Sequence, residues 1–144
     1  RRQRQMCIRD SKKLLAKELT GPFIEENNIT YLGREGDDYR LKMEGDKKHL
    51  NAFGMYHGGV LFTLADTAAG LLMIDDGKTA VTMQSNVNFV GNINGGTLYT
   101  HTRYIHKGTT TYVVEAEVKS EEGTLLLIGT FTFYASKALK IVNL

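Results

Sequence analysis

Residues 57–73, His57-Gly-Gly-Val-Leu-Phe-Thr-Leu-Ala-Asp-Thr-Ala-Ala-Gly-Leu-Leu-Met73, constrain the fold more than any other stretch of the chain. Leu61, Leu64, Ala65, Ala68, Leu71 and Leu72 recur at helical spacing, and Phe62, Ala69, Gly70 and Met73 carry the apolar surface round the other side. A helix that is apolar nearly all round is a buried helix. No apolar run approaches the ~20 residues that cross a bilayer, so the helix needs protein around it. Asp75-Asp76-Gly77 marks its end.

The rest of the chain supplies strands. Residues 80–90, 97–106, 111–120 and 124–134 are rich in Val, Ile, Thr, Tyr and Phe. They are separated by breaks at Gly91–Gly96, Lys107-Gly108 and Glu121-Glu122-Gly123, which predict an antiparallel meander. In the third of these strands, Tyr112, Val114, Ala116 and Val118 share one face. Two shorter strands, 28–34 and 38–44, flank a Gly36-Asp37 turn ahead of the helix. Residues 10–20 read as an amphipathic helix stopped by Gly21-Pro22, and residues 23–28 as one further turn. The expected fold is α+β, a long antiparallel sheet wrapped around a central buried helix. The chain of 144 residues suits one domain. It divides into an N-terminal helical segment (1–27), the main domain (28–137) and a C-terminal tail (138–144). One sheet face cannot cover a helix that is apolar on every side. A second copy of the chain is the natural source of the missing cover, which predicts a homodimer.

Composition narrows the partners. A net charge of +2 gives no argument for nucleic acid. The single cysteine, Cys7, excludes an intrachain disulfide and a multi-cysteine metal site. His49, His101 and His106 have no paired carboxylate or metal-ligand spacing, so solvated or structural roles are expected and no metal is. Arg1-Arg-Gln-Arg-Gln5 is not followed by an apolar core segment. The expectation is a cytoplasmic protein without a membrane partner.

Chemistry concentrates between Asn51 and Asp66. Gly58 and Gly59 open the buried helix, where the first N–H groups have no internal partner and the helix dipole favours negative charge. Such N–H groups suit a developing oxyanion, although glycines there also permit tight packing. Asp66 lies mid-helix among apolar residues, and a buried, unpaired carboxylate is costly. It reads either as a general base or nucleophile facing a cleft, or as a structural carboxylate satisfied by hydroxyls or a lysine. Gly58 and Asp66 are eight residues apart, about 12 Å along a helix. A single reacting atom cannot meet both on one helix, so a site using both needs two copies of the chain.

Asn51, Gly54, His57-Gly-Gly59 and Asp66 resemble the N-x-x-G-x-x-H-G-G…D pattern of PaaI-type hotdog-fold acyl-CoA thioesterases. Val81-Thr-Met-Gln-Ser-Asn86 and Thr130-Phe-Thr-Phe-Tyr134 are similar to that family too, and the likeness spans roughly residues 28–135. The resemblance implies a hotdog dimer, usually paired into a tetramer, that hydrolyses an acyl-CoA to a carboxylate and free CoA without a further cofactor. It implies that the Gly58 N–H polarises the thioester carbonyl and that Asp66 of the other subunit activates water or attacks directly. Asn51 would orient the water or the carboxylate, and Thr82 would assist. His57 would hold the loop or contact substrate beside Gly59. Gln84 and Ser85 would line the pocket, with strand alternation placing Thr82 and Gln84 on one face and Ser85 on the other. Many relatives carry a basic residue after the glycine of a strand turn, where it meets a CoA phosphate. Here the segment is His106-Lys107-Gly108, which leaves Lys107 or the backbone at Gly108 for that contact. Phe53, Met55, Tyr56, Phe62, Met73 and Phe89 are candidates to line an acyl pocket, a core role being favoured for Phe62 and Met73. A hotdog dehydratase or hydratase and a non-catalytic acyl-CoA sensor are the alternatives. The first needs a histidine paired with a helix acid, and the second has no need of Asp66.

Overall fold

The computed structural model describes residues 12–142. Arg1–Gln5, Cys7 and the first two residues of the expected N-terminal helix lie outside the described residues. Residues 12–19 are helical (α1). Pro22–Glu26 forms a short helix, α2, with proline at its start, where a missing N–H removes no helical bond. Strands β1 (Ile29–Glu35) and β2 (Asp38–Glu44) follow, then a 3-10 turn at Lys47–His49 and the long helix α3 (Gly58–Asp75). The chain continues as β3 (Ala80–Phe89), β4 (Thr97–Lys107), β5 (Thr111–Ser120) and β6 (Leu125–Ala135).

All six strands form one antiparallel sheet in the order β1-β2-β4-β5-β6-β3. The sheet curls round α3, and β2 through β6 all pack against it. Leu61, Leu64, Ala65, Ala68, Leu71, Leu72 and Met73 of α3 are buried in one core with Leu41, Val114, Val118, Phe131 and Phe133 of the strands. Each large aliphatic side chain taken from water there contributes roughly 1.5–3 kcal/mol. By length and composition alone α3, 18 residues at mean hydropathy 1.4, is capable of crossing a membrane, closer to that limit than the sequence reading allows. Its apolar character is used instead to fill the sheet.

The meander expectation holds only for β4–β5–β6. β3 pairs with β6 at the far edge, so the segment after it crosses back to β4. The crossing covers three strand spacings, about 14 Å, which a segment of that length spans. The Gly91–Gly96 break is therefore not a hairpin loop. It is anchored to the loop ahead of α3. The Tyr56 N–H donates to Ile93 O at 3.4 Å, Asn92 Nδ2 donates to Tyr56 O at 2.8 Å, and the Tyr56 hydroxyl donates to Gly96 O.

Two histidines have specific partners. His49 is buried at 3% exposure. Its Nδ1 accepts the Asp46 N–H at 2.9 Å, so the ring proton sits on Nε2, which donates to Asn27 Oδ1 at 3.0 Å. The neutral ring thus ties α2 to the 3-10 turn. His101 departs from the sequence reading, because Asp38 is its carboxylate partner, Nδ1 to Oδ2 at 3.1 Å. The two are adjacent only through the β2–β4 packing.

Burial, aided by the charge of Lys48, pushes the His49 pKa below its ordinary value. The neutral ring's contribution to stability is therefore complete above the unfolded-state value of about 6.5 and is lost as pH falls through the lowered folded value. The urea midpoint should decline on acidification below about pH 6.5. That part of the decline should shrink in His49→Gln, measured by circular dichroism across the same pH series.

Candidate active site

The N-terminus of α3 is open. His57 is the N-cap at φ −58 and ψ 137, and its exposed side chain makes no capping bond. Its carbonyl accepts the N–H groups of Val60 and Leu61 at 3.0 and 3.4 Å. The Gly58 and Gly59 N–H groups have no acceptor among the described residues. They remain as two donors at the positive end of an 18-residue helix. The glycines differ in what surrounds them. A Cβ on Gly58 would lie 3.2 Å from the Phe89 ring, whereas one on Gly59 would meet nothing within 4 Å. Close packing accounts for Gly58 and leaves Gly59 facing open space.

Asp66 lies on the one stripe of α3 that the sheet leaves partly exposed, with Gly59, Thr63, Thr67 and Gly70. It is partly exposed and partly paired, so it has a feature of each of the two expected readings, an open face and a hydroxyl partner. Thr82 Oγ1 donates to Asp66 Oδ1 at 2.6 Å. The second oxygen, Oδ2, has no partner among the described residues. His57 makes no bond to Asp66.

The environment of Thr82 overturns the strand alternation expected for its neighbours. Thr82 stands opposite Phe133 and Gln84 opposite Thr132, so Met83 is an extra residue, a β-bulge. Beyond the bulge Ser85 stands opposite Phe131. Thr82 and Ser85 therefore share the helix-facing side with the two buried phenylalanines. Gln84 turns to the outer side, where its Oε1 accepts from Thr132 Oγ1 at 3.3 Å. Within one chain Gln84 is directed away from Asp66.

Asn51 is occupied locally. Its Oδ1 accepts the N–H groups of Phe53 and Met55 at 2.9 and 3.2 Å, shaping the loop that leads to His57. Lys107 lies with the C-terminal end of α3. Its Nζ sits 4.4 Å above the Tyr104 ring, and the Tyr104 hydroxyl donates to Asp76 at 2.7 Å. Arg34 bridges Asp75 and Asp76 at 2.8 and 2.7 Å. Burial pulls the Asp76 carboxyl up, but the bonds from Arg34 and Tyr104 outweigh it and hold the group below its ordinary range. Gly108 closes the β4–β5 hairpin, its N–H donating to Thr111 O at 2.9 Å. Lys107 and Gly108 are thus separated from Gly58 by about the 27 Å length of the helix. Asp66 and Thr82 are brought together within the chain, whereas Gly58 and Lys107 are not.

A cavity of about 350 Å³ adjoins the α3 N-terminus. It is lined by residues of α2, β1, β2 and the 3-10 turn together with His57, Gly59, Val60, Thr63 and Leu64. None of the six pocket residues expected from the sequence lines it. Phe53 is 82% exposed, Tyr56 and Met73 are core, and Phe62 packs on Phe131. Phe89 covers Gly58. Phe23, Ile29 and Met43, which do line it, carry no signal in the sequence beyond their apolar character.

The family profile of the thioesterase superfamily matches residues 53–127, just over half of the chain. A Haemophilus influenzae protein whose name assigns it provisionally as an esterase is 28% identical over 141 residues, covering 92% of this chain and 98% of its own. A Streptococcus mutans UA159 protein solved bound to acetyl-CoA is 34% identical with a TM-score of 0.71, over 76% of this chain and 89% of its own. The Escherichia coli PaaI protein, from the phenylacetic acid degradation operon, shares the fold with a TM-score of 0.80 at 21% identity, over 89% of this chain and 94% of its own. With its antiparallel sheet wrapped round one helix, the chain has the hotdog fold and belongs to the thioesterase superfamily of thioester hydrolases.

Proposed function

We propose that the protein is an acyl-CoA thioesterase that works as a homodimer, with each site built from both protomers. The observation that carries this reading is the Thr82–Asp66 bond on the open stripe of α3. It fixes one carboxylate oxygen and leaves the other for water. The donors at Gly58 lie about 12 Å away along the same helix, too far to serve the same atom.

The sheet edge suggests how the two halves meet. β3 is an edge strand, and Val81, Met83, Phe89 and Val90 along it are 49–60% exposed. A long apolar edge with free N–H and C=O groups is a template for another strand. β3 runs antiparallel to α3, so that Thr82 meets Asp66 and Phe89 meets Gly58. Pairing two β3 edges antiparallel about the middle of the strand sets the Thr82 end of one protomer beside the Phe89 end of the other. Asp66 of one protomer then approaches Gly58 of its partner.

In this site the thioester carbonyl oxygen accepts from the Gly58 N–H at the positive end of one α3. Asp66 of the other protomer takes a proton from water as the water oxygen bonds to the acyl carbon. Charge builds on the carbonyl oxygen, where the helix N-terminus stabilises it. The C–S bond then breaks. The CoA sulfur leaves with the electron pair and takes the proton from Asp66, and the acid product ionises. A thiol pKa near 8.5 makes sulfur a capable leaving group. Asn51 shapes the loop that presents His57 and Gly58. The acetyl-CoA bound to the Streptococcus mutans relative supports a CoA thioester as the substrate class.

Thiol release from a panel of acyl-CoA thioesters tests the role of Asp66. Asp66→Asn, folded and of unchanged size by gel filtration, should lose at least ~10²-fold in turnover. Turnover equal to the parent would remove Asp66 from the mechanism.

A further inference from the structure

The cavity beside the α3 N-terminus lies inside a single chain and involves neither Asp66 nor the β3 edge. Its walls come from distant parts of the sequence: Phe23 on α2, Ile29 on β1, Met43 on β2, and Val60 and Leu64 on the first turns of α3. His57 and Gly59, which flank Gly58, border it as well. A group whose carbonyl sits at the Gly58 N–H therefore lies beside it.

Two of the polar side chains around the cavity, His49 and Asn27, are already occupied, while the His57 ring and the Gly59 N–H bond to nothing among the described residues. Both ring nitrogens of His49 are bonded, to the Asp46 N–H and to Asn27 Oδ1. The Asn27 amide donates to Phe23 O at 2.9 Å. No lysine, arginine, aspartate or glutamate lines the wall, and its surface is chiefly apolar. Size sets the second limit. A dry apolar cavity of ~150 Å³ accommodates benzene, so about 350 Å³ holds a group roughly twice as bulky.

We infer that this cavity is the acyl pocket, selecting uncharged acyl groups of medium length or aryl-alkyl form, with Val60 and Phe23 setting the preference. The inference rests on the thioesterase reading for its substrate. Acetyl leaves most of the cavity empty. A long chain fills it and then continues past Phe23, itself 54% exposed, into water without further gain. A dicarboxylic acyl group brings a charge to a wall that holds no lysine or arginine. Val60→Phe should fill the cavity from the helix side. Phe23→Ala should remove its outer wall, and as a surface truncation it leaves the core untouched.

The test measures kcat/KM for acetyl-, octanoyl-, phenylacetyl-, hexadecanoyl- and succinyl-CoA. Octanoyl- and phenylacetyl-CoA should exceed acetyl- and succinyl-CoA by at least ~10-fold, since each buried methylene discriminates by about that factor or more. Hexadecanoyl-CoA should gain nothing over octanoyl-CoA. The octanoyl-to-acetyl ratio should fall at least ~10-fold in Val60→Phe and should also fall in Phe23→Ala. An unchanged ratio in folded Val60→Phe and Phe23→Ala, or a parent preference for acetyl- or succinyl-CoA, would overturn the pocket while leaving the hydrolase intact. If no thioester in the panel is cleaved, the hydrolase reading fails instead. Calorimetry with the octyl-CoA thioether then judges the pocket alone. Binding weakened at least tenfold by Val60→Phe supports it, and equal binding overturns it.

Discussion

α3 has to be covered, and the rest of the structure follows from that requirement. Leaving its leucines in water would forfeit roughly 1.5–3 kcal/mol for each. The sheet meets the requirement by curling until β2 through β6 all touch the helix. A twisted antiparallel sheet can do this only if its strands are long, and β3 to β6 have ten or eleven residues each. The stripe that stays partly open holds Gly59, Thr63, Asp66, Thr67 and Gly70 among Val60, Phe62 and Ile74, and carries no leucine. The uncovered side of α3 is thus chemically distinct from the covered side, and the carboxylate stands in the middle of it.

β3 converts that geometry into a site. Running antiparallel beside α3, it brings Thr82 to Asp66 and Phe89 to Gly58. The bulge at Met83 turns both Thr82 and Ser85 toward the helix and sends Gln84 outward. The crossover to β4 is anchored at Tyr56, immediately before His57, so the loop that presents the helix N-terminus is held from two sides. The candidate site residues and the loop beside them therefore depend on a few hydrogen bonds among segments that the sheet order brings together. In the proposed dimer the same strand also carries the contact between protomers.

Much of this was legible in the residues. The apolar run of 57–73 and the β-rich segments after it carry strong periodicity, so the buried helix and the strand positions could be read directly. Gly58 and Asp66 stood out because one opens, and the other interrupts, an otherwise apolar helix. What could not be read depends on pairing between distant segments. Gly91–Gly96 has the composition of a hairpin loop, yet it serves as a crossover because β3 belongs at the opposite edge. The bulge leaves no mark in Val-Thr-Met-Gln-Ser, where polar and apolar residues do not alternate cleanly. The cavity draws on α2, β1 and the 3-10 turn, whereas the aromatic residues near the motif serve the core, the surface or the Gly58 contact. The Asp38–His101 pair spans 63 residues and forms only through the β2–β4 neighbourhood.

In the proposed dimer, Gly58 of one protomer and Asp66 of the other serve a single site. Subunit complementation tests it directly. Asp66→Asn removes the carboxylate. Gly58→Pro removes the donor at the first helical position, where the helix tolerates proline and the ψ of 137 at His57 suits a following proline; its Cβ comes within 3.2 Å of Phe89, so the variant is used once circular dichroism and gel filtration match the parent. Each variant alone should be nearly inactive. Equal amounts unfolded together and refolded should form mixed dimers in about half of cases, each with one intact site, restoring roughly a quarter of the parent thiol release. No restoration, with mixed dimers demonstrated by differently tagged chains, would contradict the shared site.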